Sequence, residues 1–210
     1  MASTAIPDDA TDALLRLPPA APGMRIGLLG GSFNPAHAGH LHISRRALAR
    51  LALDQLWWLV TPGNPLKPRS DLAPLSTRLA QAARLARHPR IRVIGFEARR
   101  PDAFTVNSLH FLKQRYRATH FVWVMGADAL AGFHRWRRWR TIFRLCPIAV
   151  MDRPGYRFAA IASQAAHYAA RYRVDESDAP GLALLQPPAW CFLTLPLCPL
   201  SSTQIRAQQH

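Results

Sequence analysis

The chain has 210 residues, 49% of them hydrophobic, enough for one domain with a sizeable core; no run of about 18 apolar residues exists, so no membrane-crossing helix is expected. Its formal net charge of +15 rests almost wholly on arginine, with Lys67 and Lys113 the only lysines, and is spread along the chain like a compositional bias. Cys146, Cys191 and Cys198 are odd in number and lack CxxC spacing, which argues against a disulfide framework and suits the reduced thiols of a cytoplasmic protein.

Residues 1–23 hold Asp8, Asp9, Asp12 and four prolines, without a basic start leading into an apolar stretch. They read as a disordered tail rather than a signal peptide, with the folded domain over 24–210. Arg25–Leu29 is a short apolar segment suited to a buried parallel strand. Gly30, Gly31, Ser32, Asn34, Pro35 and Gly39 then punctuate a loop. From His40 onward, Ile43, Ala47, Leu48 and Leu51 fall on one side of a helix. Strand, glycine-rich loop and helix together bring backbone N–H groups and a helix start towards an anion, a nucleotide-phosphate site with His37 and His40 at its mouth. The loop carries neither the G-x-G-x-x-G fingerprint nor a P-loop lysine. A His-x-x-His pair is also half of a zinc site, but no Glu or Cys at suitable spacing completes it.

Gln55–Val60 is expected as a second strand, followed by the proline-rich loop Thr61–Pro68 that contains Lys67. A loop at that end of a strand is where open α/β sheets bind ligands, although a lone lysine is equally a solvated surface charge. The pattern predicts an amphipathic helix over Ser76–Arg87 with Ser76 as N-cap, a third strand over Ile91–Phe96, and a helix over Ser108–Arg117 that Thr105-x-Asn107 could start. A fourth strand, His120–Met125, runs into Gly126-Ala127-Asp128, where Asp128 suits an N-cap. In Arg135-Trp136-Arg137-Arg138-Trp139-Arg140, Trp136 and Trp139 are expected to face inwards while the arginines are solvated; the alternative is a stacking platform for single-stranded nucleic acid. Pro147–Met151 is a fifth strand, 158–173 a helix, 175–189 a mobile connection, and Cys191–Leu195 the last strand. Ser201-x-x-Gln204 is a capping-box pattern that starts a C-terminal helix, a second anion-binding helix tip with Arg206 one turn in. The alternation predicts a Rossmann-like α/β fold: an open, mostly parallel sheet with helices on both faces, in a single domain.

Gly30-Gly31-Ser32-Phe33-Asn34-Pro35-x-His37-x-Gly39-His40 resembles the signature of the HxGH nucleotidyltransferase superfamily, most closely that of its bacterial nicotinate-nucleotide adenylyltransferases. Most members carry an acidic residue where this chain has Asn34, which makes similar hydrogen bonds without the charge. Further matches follow in order: Phe104-Thr105-Val106-Asn107-Ser108-Leu109, with Phe104 and Ser108 as departures; Gly126-x-Asp128; Trp136; Arg153-Pro154-Gly155-Tyr156; and Ser201-Ser202-Thr203-Gln204-Ile205-Arg206. The resemblance implies that Gly30, Gly31, Ser32, Phe33, Gly39, Gly126, Asp128, Ser201, Ser202 and Thr203 hold ATP, with Asp128 accepting from ribose hydroxyls. It further implies that Thr105, Trp136 and Arg153 meet the acceptor, Thr105 through its main chain at the nicotinate carboxylate and Trp136 against the pyridine ring. His40, His37, Lys67 and Arg206 then act on the phosphates.

The implied reaction is adenylyl transfer from ATP to nicotinate mononucleotide. The attacking phosphate is already ionised, so alignment and charge stabilisation are needed rather than a general base. Mg²⁺ is implied as cofactor, held mainly by the phosphates and water rather than by protein side chains. Nicotinamide mononucleotide and phosphopantetheine are the alternative acceptors, and a nucleic-acid-binding module is the reading from another class. A dehydrogenase is disfavoured by the missing fingerprint.

Overall fold

The computed structural model describes residues 12–63, 72–100 and 102–196. In chain order these form β1 (Arg25–Gly31), α1 (Ala38–Arg50), β2 (Gln55–Val60), α2 (Leu75–Leu85), β3 (Ile91–Ile94), α3 (Thr105–Arg115), β4 (His120–Gly126), α4 (Ala127–Ala131), α5 (Trp139–Leu145), β5 (Ile148–Met151), α6 (Arg157–Ile161), α7 (Gln164–Tyr168) and β6 (Trp190–Leu193). The strands build one sheet of order β3-β2-β1-β4-β5-β6, and every neighbouring pair is parallel.

The near-continuous apolar strands follow from burial on both faces. Successive side chains point to opposite sides, so Ile26, Leu28, Trp57, Leu59, Phe121, Trp123 and Met125 enter one core. Leu29, Leu56, Trp58, Val60, Val122 and Val124 enter the other. Val106, Leu109 and Leu112 of α3 and Ile142 and Phe143 of α5 cover the first. Ala47 and Leu48 of α1 and Leu79 and Ala82 of α2 cover the second. From β1 the chain builds outward through β2 and β3, then returns to place β4 on β1's other side. Loops leaving the carboxyl ends of β1 and β4 therefore diverge and open a crevice, where sheets of this type bind ligands.

Several elements differ from the sequence expectation. α1 starts at Ala38 rather than His40, because His37 caps it. α2 starts at Leu75 behind Pro74, which leaves Ser76 inside the first turn rather than at the cap. α3 starts at Thr105, with Phe104 as an extended N-cap. β3 stops at Ile94, and a 3-10 turn takes up Phe96–Arg99. The helix expected over 158–173 is broken at Ser163, whose extended backbone (ψ 154°) and Oγ, accepting from Ala166 N–H at 3.2 Å, end one helix and start the next. The connection expected to be mobile over 175–189 is folded onto the core: Asp175 caps a 3-10 segment, Glu176–Leu184, that buries Ala179, Leu182 and Ala183.

Half of the expected tail is also part of the fold. Leu14 and Leu15 pack on one core and Leu17 on the other. Leu14 O accepts from Gly95 N–H at 2.7 Å and Pro18 O from the Tyr116 hydroxyl at 2.7 Å. Lys67, Ser201, Ser202, Thr203 and Arg206 lie outside the described residues. Among the described residues no helix is long and apolar enough to cross a membrane.

Candidate active site

An aromatic column holds the loop after β1. Phe33, buried and at φ 47°, stacks on Trp58 with centroids 5.0 Å apart and on His40 at 4.6 Å. The His40 ring lies 3.9 Å from that of His37. Trp58 Nε1 donates to Ser44 Oγ at 2.7 Å, and that hydroxyl donates to the His40 carbonyl at 2.7 Å. Core and imidazoles are thus joined through α1.

The backbone decides what the two rings offer. Gly39 N–H donates to His37 Nδ1 at 3.1 Å, and His37 N–H donates to His40 Nδ1 at 3.2 Å. With both Nδ1 atoms accepting, each neutral ring carries its proton on Nε2. Burial, then the Arg153 charge, pushes His37 down to about 4. Burial, then His37, then Arg153 pushes His40 down to about 3, against a backbone bond from His37 that opposes the shift. Both rings are therefore neutral Nε2–H donors at neutral pH, set where the α1 N-terminus adds its own positive end.

Across the crevice, Arg153 pairs with the Asp128 carboxylate. A Cβ on Gly126 would collide with Asp128 Oδ1, so a larger residue would make that carboxylate shift. Arg153 therefore sits with Asp128 and the imidazoles, not in the pocket that Thr105 and Trp136 line. The last described residue, Pro196, has its carbonyl 3.0 Å from His42 Nε2 on α1.

Beside the loop after β1 lies a cavity of about 260 Å³, lined by Gly30, Gly31, Ser32, Thr61, Glu97, Phe104, Thr105, Trp123, Trp136 and Arg137 among others. Gly30 is required here, because a Cβ would lie 2.5 Å from the Trp123 ring. Trp136 meets Trp123 edge-on at 6.2 Å and Phe133 at 5.0 Å, and the Arg137 guanidinium lies over Phe104 at 4.6 Å. Of the two tryptophans expected inside, Trp139 is buried, while Trp136 is half-buried and faces the cavity. Arg135, Arg137, Arg138 and Arg140 are exposed as expected. With Trp139 in the core, the run cannot offer both indoles for base stacking.

Two buried charged residues had not been singled out as site residues. Glu97 lines the cavity and accepts from Ser108 Oγ at 2.5 Å. Burial raises its carboxyl above the usual range against hydrogen bonds from Ser108 and Thr61. Arg78 is buried in α2, and desolvation lowers it from the ordinary arginine value. A charged side chain interrupting the apolar positions of an amphipathic helix was the legible signal for Arg78. The segment around Glu97 reads as an ordinary strand end, and nothing in it signals a pocket wall.

Comparison with known proteins agrees with this geometry. The cytidylyltransferase-like family model matches residues 28–208. A Methylorubrum extorquens protein named "Probable nicotinate-nucleotide adenylyltransferase" is 57% identical over 185 residues, spanning 88% of this chain and 100% of its own. A Cereibacter sphaeroides protein of the same name is 56% identical over 184 residues, spanning 88% and 97%. Among solved structures, Plasmodium falciparum nicotinic acid mononucleotide adenylyltransferase complexed with NaAD matches with a TM-score of 0.65 at 15% identity, covering 88% of this chain and 83% of that one, a likeness of fold. With a glycine loop, paired imidazoles and an aromatic cavity on such a sheet, this chain belongs to the cytidylyltransferase-like family, among the nicotinate-nucleotide adenylyltransferases.

Proposed function

We propose that the chain transfers the adenylyl group of ATP to nicotinate mononucleotide, giving nicotinate adenine dinucleotide and pyrophosphate in NAD biosynthesis. The observation that carries this reading is the pair of neutral imidazoles whose Nδ1 atoms are held by backbone N–H groups, leaving both Nε2–H groups to donate at the start of α1. A phosphate oxygen of the acceptor attacks the α-phosphorus of ATP in line, and the bond to the β,γ-pyrophosphate breaks. No proton has to leave the nucleophile. His40 Nε2–H donates to the α-phosphate as charge builds, with His37 assisting, the role of a preorganised donor at a developing oxyanion.

The surrounding residues are assigned by what they neighbour. Gly30, Gly31, Ser32, Phe33 and Gly39 form the bed of the triphosphate, Gly126 and Asp128 flank the ribose, and Arg153 meets the acceptor's phosphate from beside Asp128. Thr105, first residue of α3, presents its N–H to the nicotinate carboxylate. The Trp136 indole suits an electron-poor ring. Lys67 and Arg206 are assigned to the departing pyrophosphate, and Ser201, Ser202 and Thr203 to a second helix tip. Among the described residues no group of three His, Cys, Asp or Glu side chains could hold a metal. Magnesium is assigned to the phosphates of ATP, which fill most of its octahedron together with water. Cytoplasmic placement rests on Cys146 and Cys191, both free and buried.

Pyrophosphate release with ATP and each acceptor in turn tests the reading. Release with nicotinate mononucleotide, well above nicotinamide mononucleotide or phosphopantetheine, is expected. His40→Ala lowers turnover by about 10²–10³, the scale for losing one preorganised donor. Weaker ATP binding with turnover intact would make His40 a binding residue only. Salt-sensitive oligonucleotide binding without release would favour the Arg/Trp module.

A further inference from the structure

Arg78 is 1% exposed, yet among the described residues no carboxylate is one of its hydrogen-bond partners. Its guanidinium donates to four main-chain carbonyls: Nε to Ala73 at 2.8 Å, Nη1 to Ser32 and to Thr61 at 2.7 Å each, and Nη2 to Pro62 at 3.1 Å. Ser32 belongs to the loop after β1. Thr61 and Pro62 follow β2, and Ala73 stands just before α2. Ala73 N–H in turn donates to Asn34 Oδ1 at 3.2 Å, back on the first loop. One planar fork thus ties two loops together at three points, a geometry that a single ammonium cannot reproduce.

The choice of partners has an electrostatic consequence. A carboxylate would satisfy the fork and cancel its charge. Carbonyl oxygens satisfy the fork and leave the charge in place, inside a region of low dielectric where it acts strongly. Ser32, one of its partners, belongs to the β1 loop on which the triphosphate is placed, and Ser32 and Thr61 also border the aromatic cavity beside that loop.

We infer that Arg78 is a positioning residue for the triphosphate: it locks the β1 loop to both ends of the β2 loop, and it places an uncancelled positive charge behind them. The inference rests on the reading that ATP's phosphates lie along the β1 loop. Arg78 touches no substrate itself; because its charge and its bond to Ser32 act on the loop assigned to the triphosphate, the larger effect should appear with ATP and only a small one with the acceptor.

The test compares Arg78→Gln and Arg78→Lys with the wild type by steady-state kinetics and by thermal melts with and without Mg·ATP. Losing charge-assisted hydrogen bonds of this kind is expected to raise KM for ATP about tenfold or more in Arg78→Gln, with KM for the acceptor within about twofold. Arg78→Lys keeps the charge and should raise KM for ATP only about threefold, while kcat recovers less because the loops are no longer locked. The rise in Tm on adding ATP should shrink in the order wild type, Lys, Gln. A purely structural Arg78 would lower Tm and leave both KM values and the ATP-induced rise unchanged, overturning the inference. Should Arg78→Gln fail to fold, Arg78→Lys decides alone: a selective rise in KM for ATP supports the proposal, and equal or absent changes in both KM values overturn it. If ATP does not raise the wild-type Tm at all, the phosphate-site reading itself has failed.

Discussion

At the scale of single residues, the fold keeps two adjacent imidazoles unprotonated. His37 and His40 lie 3.9 Å apart near Arg153, so a second or third positive charge there is opposed by its neighbours as well as by burial. Their folded-state values, about 4 and about 3, lie below that of an unfolded histidine. Between those limits the unfolded chain takes up protons that the folded one refuses. The contribution to stability is therefore full above about pH 6.5 and is lost as pH falls through the folded values. Melts of the ligand-free protein at pH 8, 6, 5 and 4 should show Tm falling with acid, and the double variant His37→Asn/His40→Gln should fall by at least about 2 °C less over that range. Parallel curves would mean that the rings are not held neutral by the fold.

At the scale of elements, the loop-and-helix unit after β1 was the most legible part of the chain. Its glycines, its histidine spacing and the apolar face of α1 are all local features. The weakest reading was the segment 175–189, where three prolines, a glycine and no clear period suggested a mobile connection. Tertiary packing overrode that composition, because the 3-10 segment Glu176–Leu184 closes the second core and Arg50 pairs with Glu176 at 2.7 Å. Leu182 is fully buried there. Leu182→Ala should cost about 2–5 kcal/mol in chemical denaturation while leaving KM for ATP unchanged. A change within about 0.5 kcal/mol would restore the mobile reading.

At the scale of the whole molecule, the charge of +15 is the dominant global property. Among the described residues Arg16, Arg50, Arg99, Arg153 and Arg157 have carboxylate partners. The exposed Arg135, Arg137, Arg138 and Arg140 have none there. Like charges at that density repel in the folded state, and added salt shortens their reach from about 30 Å at 10 mM to about 8 Å at 150 mM. Tm should therefore rise by about 2 °C or more between 10 and 150 mM sodium chloride. A flat or falling Tm would show that the excess charge does not strain the fold.

What the chain's order of residues determined by itself was local: six apolar strands, the glycine loop with its two histidines, and the motif spacing that pointed to nucleotidyl transfer. Periodicity and turn chemistry act between near neighbours, so they can be read without coordinates. Only the tertiary structure decided that Phe33 and Trp58 would brace His40, that Nδ1 rather than Nε2 would be taken by the backbone, that Trp136 would face a cavity while Trp139 filled the core, and that Arg78 would bind four carbonyls from two loops. Each of these depends on residues distant in sequence meeting where parallel strands end together, a juxtaposition that exists only once the sheet is assembled.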